Sequence, residues 1–142
     1  MVTQVREGGF LITQVNHQAD KIFSKMLKEH KIKLNHGEGR VLFTIWNNDG
    51  ISFGDVVKKT LIPKSTLAET LDRLENAGYI KRIQSVNDRR KVILRITDKT
   101  KGFQNTLAKI SEKMTKLFYH GFDSEEMDVL EGYLRRILEN LS

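Results

Sequence analysis

The sequence predicts a mainly α-helical chain with one small β-hairpin, arranged as a winged helix-turn-helix between terminal helices. Three observations lead to this prediction. Residues 51–78 have the pattern of two short helices joined by a turn. Residues 79–97 form two β-branched runs around a polar tip, which is typical of a hairpin. Apolar stripes at helical spacing occupy both ends of the 142-residue chain.

The two short helices have recognisable starts and one common buried side. Ser52 can cap the first helix, with Asp55 three residues later, as in an acidic variant of the capping box. The second helix is predicted to begin at Pro63 or Lys64, because proline presets φ at a helix entrance. Leucines then recur at i, i+4 and i+7, which predicts a buried stripe of Leu67, Leu71 and Leu74.

The face opposite these leucines carries small and polar residues, which suit a helix lying in the major groove of DNA. Short hydroxyls and backbone amides can approach phosphate, while longer side chains can reach base edges. An ordinary solvated face is the alternative, because the acidic Glu69 and Asp72 would repel phosphate. The residues expected to contact DNA from this helix are Lys64, Ser65, Thr66, Ala68, Glu69, Thr70 and Arg73.

The hairpin and the residues just after it concentrate the positive charge of the chain. Residues 81–101 contain eight Lys or Arg and two Asp, and this surplus of six equals the net charge of the whole chain, +6. Such a localised field suits the phosphate backbone of a nucleic acid. We expect Arg89, Arg90 and Lys91 to contact DNA, with one of the two arginines in the minor groove. Asp88 is expected to pair with an arginine and support the wing tip.

Three runs, Lys64–Leu67, Leu71–Arg82 and Asn87–Thr97, resemble the MarR family of bacterial and archaeal transcription regulators. The resemblance extends over most of the chain. It implies an obligate homodimer whose two winged-helix lobes read a near-palindromic operator in double-stranded DNA. The sequence departs from the family pattern in the turn, at the helix start, on the open face and after the wing, at Leu61, Pro63, Glu69 and Thr100.

The terminal helices are predicted over about residues 9–30, 98–120 and from Asp123 onward, where Asp123 and Glu126 can form a capping box. The middle helix has a heptad seam. These apolar faces need a partner, which is either the other terminal helix of the same chain or a second copy of the chain. The resemblance favours a homodimer, with dimerisation residues Ile12, Val15, Ile22, Leu130, Leu134 and Ile137.

A further buried helix is predicted over residues 39–46, after a short basic connection at 31–36. Trp46 is expected in the core, and a place in a small-molecule pocket is the alternative. Members of the MarR family often bind small phenolic or other aromatic anions where the dimerisation helices meet the DNA-binding lobe. By this analogy His17, Arg40 and Trp46 are candidates for binding a small aromatic or anionic effector.

Several classes of function are excluded by what the sequence lacks. It has no cysteine, its four histidines have no metal-site spacing, and it contains no P-loop, nucleophile elbow or dinucleotide-binding motif. We therefore expect no enzyme activity, no cofactor and no metal. No apolar run approaches the ~18 residues that span a membrane, and no signal peptide is evident, which favours a cytoplasmic protein. The expected organisation is one domain, with a DNA-binding lobe at 36–97 and dimerisation helices at 9–30 and 98–142.

The leading hypothesis is a sequence-specific transcriptional regulator that binds double-stranded DNA, most simply a repressor released by a small molecule. An architectural DNA-binding protein with little sequence specificity is the alternative. A winged helix used only for protein contacts is a third interpretation, and the basic hairpin argues against it. The ratio of specific to non-specific affinity separates the first two, since a regulator should reach ~10³ or more at fixed salt.

Overall fold

The computed structural model describes residues 4–142, and it has the predicted winged helix-turn-helix arrangement. Two compact units can be distinguished, and the boundary between them lies after Ile110. None of the helices in residues 4–142 has the length and apolar character needed to cross a membrane. The elements in chain order are α1 (Gly8–Glu29), α2 (His36–Asn47), α3 (Phe53–Thr60), α4 (Lys64–Asn76), β1 (Ile80–Gln84), β2 (Val92–Ile96), α5 (Asp98–Lys101), α6 (Gln104–Phe118) and α7 (Ser124–Asn140).

Helix α2 begins earlier than the sequence analysis predicted. Its first residue is His36, whereas the predicted start was at residue 39. The reason is a complete capping box, in which the Asn35 side chain accepts from the Glu38 N–H at 2.8 Å and Glu38 accepts from the Asn35 N–H at 3.0 Å. Further along α2, a Cβ on Gly39 would lie 2.7 Å from Leu27 Cδ1, so glycine permits the close approach of α1.

The core of the first unit lies between α2, α3, α4 and the hairpin. Its members are aliphatic residues from all of these elements together with one tyrosine from the end of the α4 turn. They are Val41, Leu42, Ile45, Val56, Leu67, Leu71, Leu74, Tyr79, Ile80, Leu94 and Ile96. The predicted leucine stripe of α4 is confirmed, because all three leucines are fully buried.

The hairpin pairs antiparallel from Ile80↔Ile96 to Gln84↔Val92. A third short segment adds to its edge, since Gly50 N–H donates to the Leu94 carbonyl and Leu94 N–H donates to the Ile51 carbonyl, both at 2.8 Å. The wing is therefore hydrogen-bonded to the segment between α2 and α3 as well as to its own partner strand. The sequence analysis did not predict this pairing of residues 50–51 with β2.

The single helix predicted over residues 98–120 is wrong in one respect, because the structure divides it into α5 and α6. The break falls at Gly102, whose low helix propensity makes it the weakest point of the segment. There the Phe103 N–H donates to the carbonyl of Thr100, three residues earlier, at 3.1 Å. This spacing makes a tighter turn than the four-residue spacing of an α-helix. The turn directs Phe103 against the core, where its ring lies edge-on to Tyr79 with centroids 5.9 Å apart.

The second unit contains α7 and the end of α6. The predicted capping box of α7 is confirmed, with Asp123 and Glu126 exchanging bonds of 2.8 and 3.0 Å. The Tyr119 hydroxyl donates to Glu131 on α7, and this bond raises the pKa of Tyr119 above its ordinary value. The capping box thus defines the start of α7, and the bond from Tyr119 joins the residue after α6 to the middle of α7.

One residue of the turn between α3 and α4, Leu61, has a strained backbone conformation. Leu61 has φ 55° and ψ 21°, the left-handed conformation that favours glycine. Its side chain is 70% exposed, so core packing gives little compensation for this conformation. The departure from the family pattern at this position therefore has a cost in the backbone.

We expect Leu61→Gly to stabilise the protein by about 1 kcal/mol, because glycine adopts the left-handed conformation without a Cβ clash. Chemical denaturation at an unchanged m-value measures this difference. Leu61→Ala is the matched control, since it removes the same exposed side chain but keeps the Cβ. A glycine variant no more stable than the alanine variant would contradict the strain.

Candidate nucleic-acid interface

The helix-turn-helix holds α4 by its buried face and leaves its other face open. Ser52 caps α3 by accepting from the Asp55 N–H at 3.1 Å, which is one of the two bonds of the predicted capping box. Pro63 stands at the N-cap of α4 and offers no side-chain cap. The first amides of α4 therefore keep their capacity to bind an anion such as phosphate.

The open face of α4 contains most of the side chains that the sequence analysis assigned to DNA. Lys64, Ser65, Thr66 and Glu69 are exposed, and Ala68 is half-buried. The structure places Thr70 differently from these residues. It is only 6% exposed, and its hydroxyl donates to the Thr66 carbonyl at 3.0 Å, as threonine commonly does inside a helix.

Arg73, another residue assigned to DNA, lies in contacts within the lobe. Its Nε donates to Glu38 Oε2 at 2.9 Å, and its Nη2 lies 3.4 Å from the Thr70 hydroxyl. Glu38 is the same residue that completes the capping box of α2. Arg73 therefore connects α4 to the start of α2, a role that its position in the sequence did not reveal.

The wing tip is a compact turn. Ser85 N–H donates to the Lys91 carbonyl at 2.9 Å, and Lys91 N–H donates to the Asp88 carbonyl at 3.0 Å. Asp88 Oδ1 accepts from the Arg90 N–H at 3.0 Å and lies 3.4 Å from Arg90 Nε. The Arg90 side chain remains 92% exposed, so this contact orders the tip and leaves the guanidinium accessible.

Three of the eight cations between residues 81 and 101 are engaged inside the lobe. Arg82 binds Asp72 and Glu75 on α4, each at 2.7 Å. Arg95 lies 3.7 Å from Asp49, while Lys99 donates to the Ala77 carbonyl at 2.7 Å and lies over the Tyr79 ring. The positive field that faces solvent comes from the other five, which are Lys81, Arg89, Arg90, Lys91 and Lys101.

Arg82 makes the most extensive ion contact of the interface. Besides its side-chain bonds, its backbone N–H donates to Glu75 Oε2 at 3.0 Å, and its Nε donates to Glu75 Oε1 at 3.1 Å. The side-chain bond and then the backbone bond from Arg82 hold the pKa of Glu75 below its ordinary value. The same side-chain bond from Glu75, followed by that from Asp72, raises the pKa of Arg82.

The three candidate effector residues have different surroundings. Arg40 pairs with Asp20, and His36 Nε2 lies 3.7 Å from the same carboxylate. Trp46 packs against the core and lies edge-on to Phe43. His17 is exposed on α1, and within residues 4–142 no hydrogen bond or ion pair joins it to Arg40 or Trp46. In the same part of the chain no group of three or more potential metal ligands was found.

The residues assigned to dimerisation are mostly exposed in the single chain. Ile12, Val15 and Ile22 on α1 are 44%, 47% and 38% exposed. On α7, Leu134 and Ile137 are exposed to a similar degree and Leu130 is half-buried. Large apolar side chains at helical spacing on an exposed face mark an interaction surface more often than a solvated one.

Comparison with known proteins gives consistent matches. The family model described as the MarR family matches residues 34–92. The HTH-type transcriptional regulator PecS of Dickeya dadantii is 30% identical over 130 residues, covering 89% of this chain and 75% of that protein. SarZ of Staphylococcus haemolyticus, also named an HTH-type transcriptional regulator, is 24% identical over 92% of this chain and 86% of its own length.

Solved structures show the same fold. The transcriptional regulator SlyA superposes with a TM-score of 0.81 at 21% identity, over 96% of this chain and 94% of that one. A MarR variant from E. coli, crystallised with operator DNA, has a TM-score of 0.75 at 20% identity, over 96% and 99% of the two chains.

The contact between Glu75 and Arg82 leads to a prediction about pH. A carboxyl whose pKa is lower in the folded than in the unfolded state stabilises the fold above its ordinary pKa. It loses that contribution as the pH falls through the lowered value. We expect the wild type to be more stable than Glu75→Gln at neutral pH, with the difference vanishing below the ordinary titration range of glutamate.

Denaturant midpoints measured from neutral into acidic pH test this expectation. Glu29→Gln is the control, because Glu29 is an exposed glutamate whose carboxylate lies 4.0 Å from Lys25. A difference between wild type and Glu75→Gln that stays constant through the acidic range would contradict the assigned contact.

Proposed function

The chain belongs to the MarR family of DNA-binding transcriptional regulators, and from this membership we propose that it is a homodimeric repressor. The operator is a near-palindromic sequence in double-stranded DNA, and a small-molecule effector releases the protein from it. The relatives are regulators, which confirms that the chain is not an enzyme.

One observation carries the proposal for DNA. The open face of α4, with its uncapped start and its hydroxyls, belongs to the same lobe as a wing whose outward cations are Arg89, Arg90 and Lys91. A helix of this kind fits the major groove, while a basic hairpin tip fits the backbone or the minor groove alongside it. The E. coli MarR variant solved with operator DNA supports this arrangement.

Within α4 we assign different tasks to different residues. Lys64 and the hydroxyls of Ser65 and Thr66 set the register on phosphate, because they lie near the helix start. Ala68 is small enough to let the helix approach the bases. Glu69 selects sequence, most simply by accepting a hydrogen bond from the amino group of cytosine.

In the wing, Arg90 or its neighbour Arg89 enters the minor groove, where narrow A·T tracts concentrate negative potential. Lys91 adds a positive charge close to the phosphate backbone of the DNA. Asp88 supports the tip through its bonds to Arg90, so that the loop loses less conformational freedom when it binds.

The exposed apolar residues of α1 and α7 support a two-fold dimer. A second copy would cover them and set two recognition helices on one side of the duplex. Their separation must then match about 34–36 Å, or roughly 10 base pairs, between half-site centres. A ligand needs to change this separation only slightly to weaken DNA binding. A ~10²-fold loss of affinity for DNA requires the ligand to bind the DNA-incompetent state ~2.7 kcal/mol more tightly than the competent one.

The effector site is the least defined part of the proposal. His17, Arg40 and Trp46 remain the candidates, although Arg40 already pairs with Asp20. An anionic ligand would have to compete with this carboxylate for the guanidinium. Release would then couple to a rearrangement between α1 and α2, the helices that carry Asp20 and Arg40.

Selection of bound DNA from a random pool tests the function directly. We expect an enriched near-palindrome bound ~10³-fold or more tightly than random DNA at the same salt concentration. A ratio close to one would favour the architectural alternative. Metabolites that release the protein from the selected DNA would then be screened.

Two substitutions in α4 should have different effects on this selection. Lys64→Ala should weaken all sequences alike, because phosphate contacts carry no sequence information. Glu69→Gln should change which base is preferred at one position of each half-site. If Glu69→Gln merely tightens binding to every sequence, Glu69 is a repulsive bystander and its assignment fails.

The dimer is tested by placing a charge on α7. Leu134→Asp or Ile137→Asp should yield a monomer or an unfolded chain and abolish operator binding, since an unpaired charge at an apolar interface is costly. Analytical ultracentrifugation and circular dichroism distinguish the two outcomes. Asn140→Asp, at the exposed end of α7, is the control. A folded monomer that binds the full operator with undiminished affinity would refute the dimer.

A further inference from the structure

The acidic residues of α4 are not equivalent. The helix carries Glu69, Asp72 and Glu75, and all three lie on a helix that we propose enters the groove of a polyanion. Asp72 is three residues after Glu69 and therefore borders the same open face. Without neutralisation, these carboxylates would oppose the approach of α4 to phosphate.

One arginine from the wing neutralises two of the three. Arg82 Nη2 lies 2.7 Å from Asp72 Oδ1 and 2.7 Å from Glu75 Oε1. Glu75 also accepts from the Arg82 backbone N–H, so the carboxylate binds the strand as well as the side chain. We name Arg82, Asp72 and Glu75 the clasp. Within residues 4–142, Glu69 has no ion-pair partner.

We propose that Arg82 is a positioning residue for DNA recognition, which neutralises Asp72 and Glu75 and fixes β1 against α4. This inference rests on the proposed function. The wing and α4 then meet DNA as one unit, and the groove sees a single uncompensated carboxylate, that of Glu69. We expect no direct phosphate contact from Arg82, because its Nε and Nη2 donate to the two carboxylates and its side chain is only 33% exposed.

The clasp differs from a direct phosphate contact in a measurable way. If Arg82 acts by neutralising the acids, removing its charge should matter only while the acids are present. If it contacts DNA, removing its charge should cost the same, or more, once the acids are gone. A double-mutant cycle between Arg82→Gln and the pair Asp72→Asn with Glu75→Gln separates the two.

The experiment compares four proteins on DNA selected by the wild type: wild type, Arg82→Gln, the Asp72→Asn/Glu75→Gln pair and the triple variant. We expect Arg82→Gln to bind about tenfold more weakly at low salt, with a deficit that shrinks as salt screens the repulsion. In the Asp72→Asn/Glu75→Gln background, Arg82→Gln should change affinity by less than about twofold. Fluorescence anisotropy at two salt concentrations measures all four affinities.

Controls separate this effect from unfolding and from loss of charge in general. Arg6→Gln removes the same charge from an exposed side chain before α1, and should leave affinity nearly unchanged. Circular dichroism establishes that each variant is folded. If Arg82→Gln does not fold, Arg82→Met replaces it, since methionine also removes the charge but keeps an unbranched side chain that can pack against the strand.

The outcomes also distinguish the clasp from the proposed function. Equal costs of Arg82→Gln in both backgrounds, or no cost in the wild-type background, would overturn the clasp while leaving operator binding intact. If the wild type selects no sequence but binds DNA, specific regulation fails, and the cycle on that DNA still decides the clasp. A wild type that binds no DNA at any salt overturns both.

Discussion

The buried leucine stripe of α4 is the constraint on which the interface depends. Leu67, Leu71 and Leu74 are fully buried, and each such side chain contributes about 1.5–3 kcal/mol through burial. Because a helix has a fixed period, burying these three residues determines which residues face outward. The hydroxyls near the start of α4 are thus exposed as a consequence of core packing. Rotating the helix would expose leucine and bury charge together.

The second constraint is electrostatic, and it acts between elements that are distant in sequence. The excess of six positive charges in residues 81–101 suggests a uniformly basic hairpin. In the structure, Arg82, Arg95 and Lys99 are held by α4, by Asp49 and by the Ala77 carbonyl. The wing is therefore attached to the lobe near its base and presents its accessible arginines at the tip. The net charge of this segment indicates a polyanionic partner. The ion pairs within the lobe determine which cations remain free to create a positive field outside it.

The parts of the fold that the sequence predicted well are those encoded locally. Helical periodicity located the α4 stripe, and the Asp123–Glu126 capping box located the start of α7. The capping box at Asn35 is equally local and was overlooked, which is why the start of α2 was placed too late. The break at Gly102 was missed because the heptad seam continued past it, although glycine lowers helix propensity.

The candidate site was less predictable because its contacts join residues far apart in sequence. The partner of Arg73 is Glu38, 35 positions away, and Arg82 reaches back ten positions to Asp72. Composition cannot tell a cation that faces DNA from one that binds an acid in the same lobe. Thr70 shows a related difficulty, since its position borders the open face while its hydroxyl bonds within the helix.

The remaining unpaired acid on α4 connects packing, charge and specificity. A carboxylate near phosphate lowers affinity for every sequence unless a base supplies a donor. Arg82 pairs with Asp72 and Glu75, so these two carboxylates would repel phosphate less. Glu69 keeps its full repulsion, and it lies on the exposed face of α4, opposite the buried leucines. If Glu69 has the role proposed for it, it would discriminate mainly by rejecting DNA that offers its carboxylate no hydrogen-bond donor. On this view, α4 would gain sequence specificity from the repulsion between one carboxylate, that of Glu69, and DNA, because the other two acids of α4 are paired with Arg82.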